Sequence, residues 1–152
     1  MMRITYANEI RKPPEFVFPW IAEPEKAMQW QKNVKGGEIL ISKPEVVGTT
    51  FEEVVEEGGG SLEMEGVIAK FVRDQMIEFH LESKIHEVDV TYSLEGSNGA
   101  TQITVDARIH WKFPTNLLSL FIGHKMKEGI AGQLESEILE LKRICETGYA
   151  GG

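Results

Sequence analysis

From Val34 to Phe113, apolar and polar residues alternate with a period of two, and the breaks between alternating runs are only a few residues long. Few arrangements accept such a pattern. Short turns join antiparallel neighbours, and one apolar face per strand leaves one side of a sheet to water and the other in need of a cover. The runs are Val34–Ser42 (ended by Pro44), Gly48–Glu57, Leu62–Val72 after the turn Gly58-Gly59-Gly60-Ser61, Met76–Glu82, Ile85–Leu94 and Thr101–Phe113. In the last run Ile103, Val105, Ala107, Ile109 and Trp111 share one face, against Gln102, Thr104, Asp106, Arg108, His110 and Lys112. Within Leu62–Val72 the apolar set changes face, from Leu62, Met64 and Ile68 to Val67, Ala69 and Phe71. That switch predicts a bulge near Gly66. Arg3–Ile10 reads as a further strand, and Glu15–Ala22 and Pro24–Gln31 as two short helices, with Pro13-Pro14 at the first turn.

The cover comes from Pro114–Glu146. Met126, Ile130, Leu134, Ile138, Leu141 and Cys145 recur at spacings of three and four, one stripe of a helix. Lys125, Lys127, Glu128, Glu135, Glu137, Lys142 and Arg143 fall mostly off that stripe. Thr115 or Asn116 supplies an N-terminal cap. A helix of this length would span roughly 45–50 Å. A break is therefore expected at Gly123, Gly129 or Gly132, because glycine weakens a helix by about 1 kcal/mol relative to alanine. Leu117–Ile122 is apolar nearly all round, as in a helix that is buried or covers something apolar. The expected fold is α+β: a curved antiparallel sheet of about seven strands wrapped around a long C-terminal helix, with two short helices after strand 1. The expected organisation is a single domain over residues 1–147 and a flexible tail over 148–152.

Composition narrows the function. The net charge is −8 over 152 residues and no basic run offsets it, which argues against nucleic acid or an anionic membrane surface as a partner. Cys145 is the single cysteine, so no intrachain disulfide or cysteine zinc cluster is available; it is expected to be buried and inert. The chain contains no apolar run of about eighteen residues and no signal-peptide core, so a cytoplasmic protein without stable membrane insertion is expected.

The order of several short motifs resembles the START/Bet v 1-like (SRPBCC) superfamily, and most of all its polyketide cyclase/dehydrase and lipid-transport branch. The matching residues run from Ile10, Pro13-Pro14 and Val17-Phe18 through Ile21, Glu23-Pro24, Trp30 and Val34. Gly48-Thr49, Gly99-Ala100-Thr101 and the closing Leu141-Lys142 with Glu146 continue the pattern. The resemblance implies a helix-grip fold with a cavity between sheet and long helix that holds a hydrophobic or amphipathic small molecule. It does not imply one reaction, since members bind lipids, sterols, polyketides or hormones and a minority catalyse cyclisation or dehydration.

The residues offer candidates on those terms. Alternation aims Trp30, Phe51, Met64, Phe79, Val90 and Tyr92 inward, and likewise Val105, Ile109, Trp111, Phe121, Ile122 and Met126. The same side chains fit a filled core or the walls of a ligand cavity. His86 and Tyr92 are the candidate catalytic pair, with His86 read first as a structural histidine at a strand start; Glu65 and Asp106 come next if a register differs. His80 and His110 share polar faces and are expected to meet water, and His124 lies among lysines. Glu52, Glu53, Glu56, Glu57, Glu63 and Glu65 read as a solvated edge that suppresses strand pairing. No metal-ligand spacing, nucleophile elbow or phosphate loop appears, and neither a metal nor a cofactor is expected.

Three functions follow. The first is binding, transport or sensing of a hydrophobic small molecule such as a lipid or polyketide, with Leu117–Ile122 over the cavity mouth and Gly123 as hinge. The second is a cyclase/dehydratase-type enzyme, which needs a titratable group inside the cavity. The third is a protein-interaction module using an exposed strand edge or the Leu117–Ile122 patch. A monomer or weak homodimer is expected.

Overall fold

A computed structural model describes residues 1–57, 60–112 and 120–148, and their side chains except at 57 and 120–124. The chain runs β1 (Met2–Ile10), α1 (Pro14–Ala22), α2 (Pro24–Ala27), β2 (Val34–Ile41), β3 (Thr50–Glu57), β4 (Gly60–Val72), β5 (Met76–Glu82), β6 (His86–Ser97), β7 (Ala100–Trp111) and α3 (Leu120–Thr147). All seven strands form one antiparallel sheet in the order β1-β7-β6-β5-β4-β3-β2. Consecutive strands from β2 to β7 are neighbours, as short turns require. β1 instead pairs with β7, from Met2 opposite Ile109 to Ile10 opposite Thr101. The two short helices carry the chain from that edge to the other.

The bulge lies later than expected. β3 and β4 pair without interruption from Thr50 opposite Val67 to Glu57 opposite Gly60. The register shifts between Ile68 and Lys70 against β5, so Met64, Gly66 and Ile68 stay on the inner face and Phe71 joins it beyond the shift. Gly66 has a different reason to be glycine. The Phe51 ring lies directly over it, and a Cβ there would fall 2.2 Å from Phe51 Cζ.

α3 is continuous through Gly123, Gly129 and Gly132, contrary to the expected break. The propensity cost of glycine is about 1 kcal/mol per residue, and the burial of the helix's apolar stripe outweighs it. Ile138, Leu141, Ile144 and Cys145 have no exposed surface. They join Ile10, Val17, Phe18, Ile21, Trp30 and Ile103 in the main core, where α1, α3 and the sheet meet. A second, smaller cluster around Val55, Met64, Val88 and Ile109 lies toward the start of α3, with Ile130 and Leu134 packed against it. Seven strands at about 4.8 Å spacing make a surface roughly 29 Å wide, whereas a helix is about 10–12 Å across. One helix cannot fill that concavity, and α1 and α2 close only one end of it.

The outer face of the sheet is polar. Glu78 accepts hydrogen bonds from Thr91 Oγ1 at 2.7 Å and Arg108 Nη2 at 3.0 Å, and Arg3 pairs with Asp106 at 2.9 Å. His80 lies there too, its Nδ1 2.7 Å from Asp89 Oδ1, and His110 is exposed. At the far edge, β2 exposes Ile39, Leu40 and Ile41.

Candidate functional site

Between the inner face of the sheet and the first half of α3 lies a cavity of about 820 Å³. Its walls are mainly apolar. Phe51, Met64, Phe79, Val90 and Tyr92 line it, and so do Ile109, Trp111 and Met126. Exposed Met28 and Ile39 stand among the lining residues, so the cavity reaches the surface between α2 and β2.

Trp30 and Val105 point inward as expected but lie in the fully buried core and are not among the described cavity walls. Trp30 Nε1 donates to the Trp20 carbonyl at 2.7 Å, and its ring meets Tyr92 edge-on with centroids 6.0 Å apart. Tyr92 in turn meets Phe79 at 6.2 Å, and Phe79 meets Phe51 at 5.9 Å. Trp30 therefore supports the wall from behind. The side chains of Phe121, Ile122 and His124, and the whole of the expected cap at Thr115 or Asn116, lie outside the described residues, as does most of Leu117–Ile122.

His86 lines the cavity at the start of β6, held by the turn before it. Its Nδ1 lies 2.8 Å from Ser83 Oγ, which also accepts the backbone N–H groups of Ile85 and His86, both at 3.2 Å. The imidazole leans on the Trp111 ring, with centroids 5.1 Å apart. These contacts fix the ring as part of the wall. Glu65 and Asp106 face outward: Glu65 is exposed and Asp106 binds Arg3.

The inward carboxylates are different ones. Glu53 lines the cavity from β3, opposite Met64, and Glu137 lines it from α3. Glu52, Glu56, Glu63 and Glu65 are exposed, as a solvated edge requires, but Glu53 departs from that reading. Its signal is plain in retrospect, since Glu53 alternates in phase with Phe51 and Val55. Glu137 is three residues after Leu134 and four before Leu141, which puts it on the buried stripe and not off it. It is only 9% exposed.

These groups meet around Tyr92. Its hydroxyl, hydrogen-bonded to the Gln31 side chain, is pushed well above the ordinary phenol range by burial first and then by the charges of Glu137 and Glu53. Burial raises the Glu137 carboxyl, the nearby charge of Glu53 adds to this, and the Lys32 backbone N–H and charge oppose it; the result is about 7. Burial alone raises Glu53. Glu137 Oε2 is buried and meets no hydrogen-bond donor among the described residues. The arrangement can hold or move a proton, or receive a donor, at one end of an apolar chamber.

Two remaining features lie away from this end. Cys145 is buried, its thiol raised to about 12 by burial and by Glu146. His80, Glu82 and Glu87 bring ligand-type atoms within 4.8 Å of one another on adjacent strands, a grouping that linear spacing does not display.

The family model described as Activator of Hsp90 ATPase homolog 1-like protein matches residues 11–140. No curated protein sequence matches the chain. Among solved structures, a protein from Thermus thermophilus superposes with a TM-score of 0.75 at 15% identity, covering 97% of this chain and 99% of that one. The Zhui aromatase/cyclase from a Streptomyces species gives 0.74 at 12% identity, covering 94% of each chain. A START superfamily protein from Mycobacterium smegmatis gives 0.69 at 18% identity, covering 91% of this chain and 98% of that one. No described helix is long and apolar enough to cross a membrane.

Proposed function

The chain belongs to the Activator of Hsp90 ATPase homolog 1-like family, and from that premise we propose that it binds a hydrophobic or amphipathic small molecule between sheet and α3. Its helix-grip fold is that of the START/Bet v 1-like superfamily. The observation that carries the proposal is the cavity of about 820 Å³, within the range of roughly 300–1,000 Å³ that small-molecule sites occupy. Its walls join an apolar and aromatic majority to a few convergent polar groups, the composition such sites need. The family's description names an activator of the Hsp90 ATPase; for this chain the cavity, and not that description, supports the reading.

Native mass spectrometry of freshly purified protein, followed by analysis of an organic extract, tests it. The expected result is a released small-molecule adduct, or tight uptake of an added apolar probe. Phe79→Asp or Trp111→Asp should abolish uptake in a folded protein, because each places a charge in the wall. Unchanged affinity in both variants would overturn the cavity assignment.

One observation favours a second reading, an enzyme that transfers protons. Glu137 sits inside the cavity with its carboxyl poised near pH 7, where an acid–base group works best. Turnover of a bound polyketide that vanishes in Glu137→Gln, with binding retained, would support it. Binding with no turnover would leave the first reading alone.

A further inference from the structure

The apolar walls say what the body of a ligand is made of; the charged groups say what its head is. Two glutamates, Glu53 and Glu137, enter the cavity, and the exposed Glu38, Glu52 and Glu56 border it, Glu56 paired with Lys35 at 3.2 Å; no lysine, arginine or aspartate lines it among the described residues. Charge of one sign along low-dielectric walls concentrates ions of the other sign. An acidic lining alone would be satisfied by solvent, but Glu137 is not in that position. It is buried, it reaches the cavity from α3, and its Oε2 meets no donor among the described residues.

Two nearby donors are already engaged, and the Lys32 ammonium acts on Glu137 through its charge, with no hydrogen bond to Oε2. The Lys32 backbone N–H donates to the Glu137 carboxylate, and the Gln31 side chain is hydrogen-bonded to Tyr92. What is missing is an N–H or O–H group that arrives with the ligand. Glu53 decides between the two. A hydroxyl would satisfy Oε2 but would leave two neighbouring carboxyl groups to repel each other. A cation satisfies the acceptor and offsets both charges.

We propose that the cavity takes an amphipathic amine, its apolar body along the sheet and its protonated nitrogen donating to Glu137 Oε2 beside Glu53. The proposal rests on the binding function above and names the chemistry of the ligand. Proton linkage supports it. The groups facing the nitrogen are Glu137 from α3, Glu53 from β3, Tyr92 and, farther along the same strand, His86 from β6, Glu38 from β2, and Gln31 and Lys32 from the segment after α2. Glu137 titrates near 7, so an ammonium ion meets a charged partner there above that pH and a neutral one below it.

Decylamine and decanol share one apolar body and differ in the head. Titration calorimetry on the full chain should show decylamine binding at least about tenfold more tightly than decanol above pH 7, the size of one charge-assisted hydrogen bond. The gap should narrow below that pH. Glu137→Gln should remove the amine preference and keep decanol binding. If that variant also loses decanol, Glu53→Gln carries the comparison, with a reduced preference expected. Equal affinities in the wild type, or a preference unchanged in the variant that still binds decanol, overturn the amine proposal and leave the cavity reading in place. Binding of neither compound overturns both.

Discussion

The two halves of α3 face the same sheet and do different work. In the second half Ile138, Leu141, Ile144 and Cys145 are fully buried against α1 and the sheet, and Lys142 Nζ reaches the Glu9 carbonyl of β1 at 2.5 Å. In the first half Met126, Ile130 and Leu134 are only partly buried and line the cavity. Glu137 stands at the boundary. The difference follows from what sits on the other side of the helix: α1 inserts Val17, Phe18 and Ile21 at one end, and no comparable group is inserted at the other among the described residues. Stability is concentrated where α1 packs, and space is left where it does not.

Substitutions can break or sharpen that contrast. The largest effect is expected from Leu141→Ala at the packed end, a loss of about 2–5 kcal/mol in denaturant unfolding. Ile130→Ala, beside existing empty space and only half-buried, should cost well under half as much. Equal losses would mean that the two ends are packed alike.

The boundary is tested by pH. The Glu137 carboxyl titrates at about 7 when folded, against an ordinary value of 4.5, so the folded state favours its neutral form. That contribution is fully present below about 4.5 and is lost as pH rises toward 7. Glu137→Gln should therefore gain stability relative to wild type across that window, by up to about 3 kcal/mol. A difference that does not vary with pH would show that Glu137 is not held neutral by burial.

Smaller effects probe the walls. Gly66→Ala must displace the Phe51 ring and should cost about 1–3 kcal/mol while altering uptake of apolar probes. An unchanged melting temperature would mean that Phe51 swings away freely. Gly132→Ala should stabilise by about 1 kcal/mol, because a Cβ there meets nothing within 4 Å and alanine favours the helix. A loss instead would mean that the first half of α3 needs glycine for a reason other than space.

Much of this is legible in the residues. The alternation of β7, with Ile103, Val105, Ala107 and Ile109 inward, fixes that strand, and the three-and-four spacing of Leu134, Ile138 and Leu141 fixes the helix. Alternation names the face but not the position along a curved sheet. That is why Val105 proves to be core and Ile109 cavity wall, two turns of the pleat apart. Glu53 and Glu137 are hidden for another reason. Their spacing is that of buried residues, but their chemistry is that of surface ones, and in these two positions the phase outweighs the chemistry. His80, Glu82 and Glu87 cannot be found from spacing at all, because the pairing of β5 with β6 creates their proximity.

The pairing of β1 with β7 has a consequence for the order of assembly. Strands β2 to β7 can zip together hairpin by hairpin, each closing a short loop soon after it is made. β1 is made first and finds its partner last, since Met2 must wait for Ile109. On a growing chain, Ile4 and Ile10 would spend most of synthesis without their final neighbours, and the sheet would gain its last strand only in the closing stage. In refolding, this first-made strand should dock after the rate-limiting step, so variants in β1 should speed unfolding more than they slow folding.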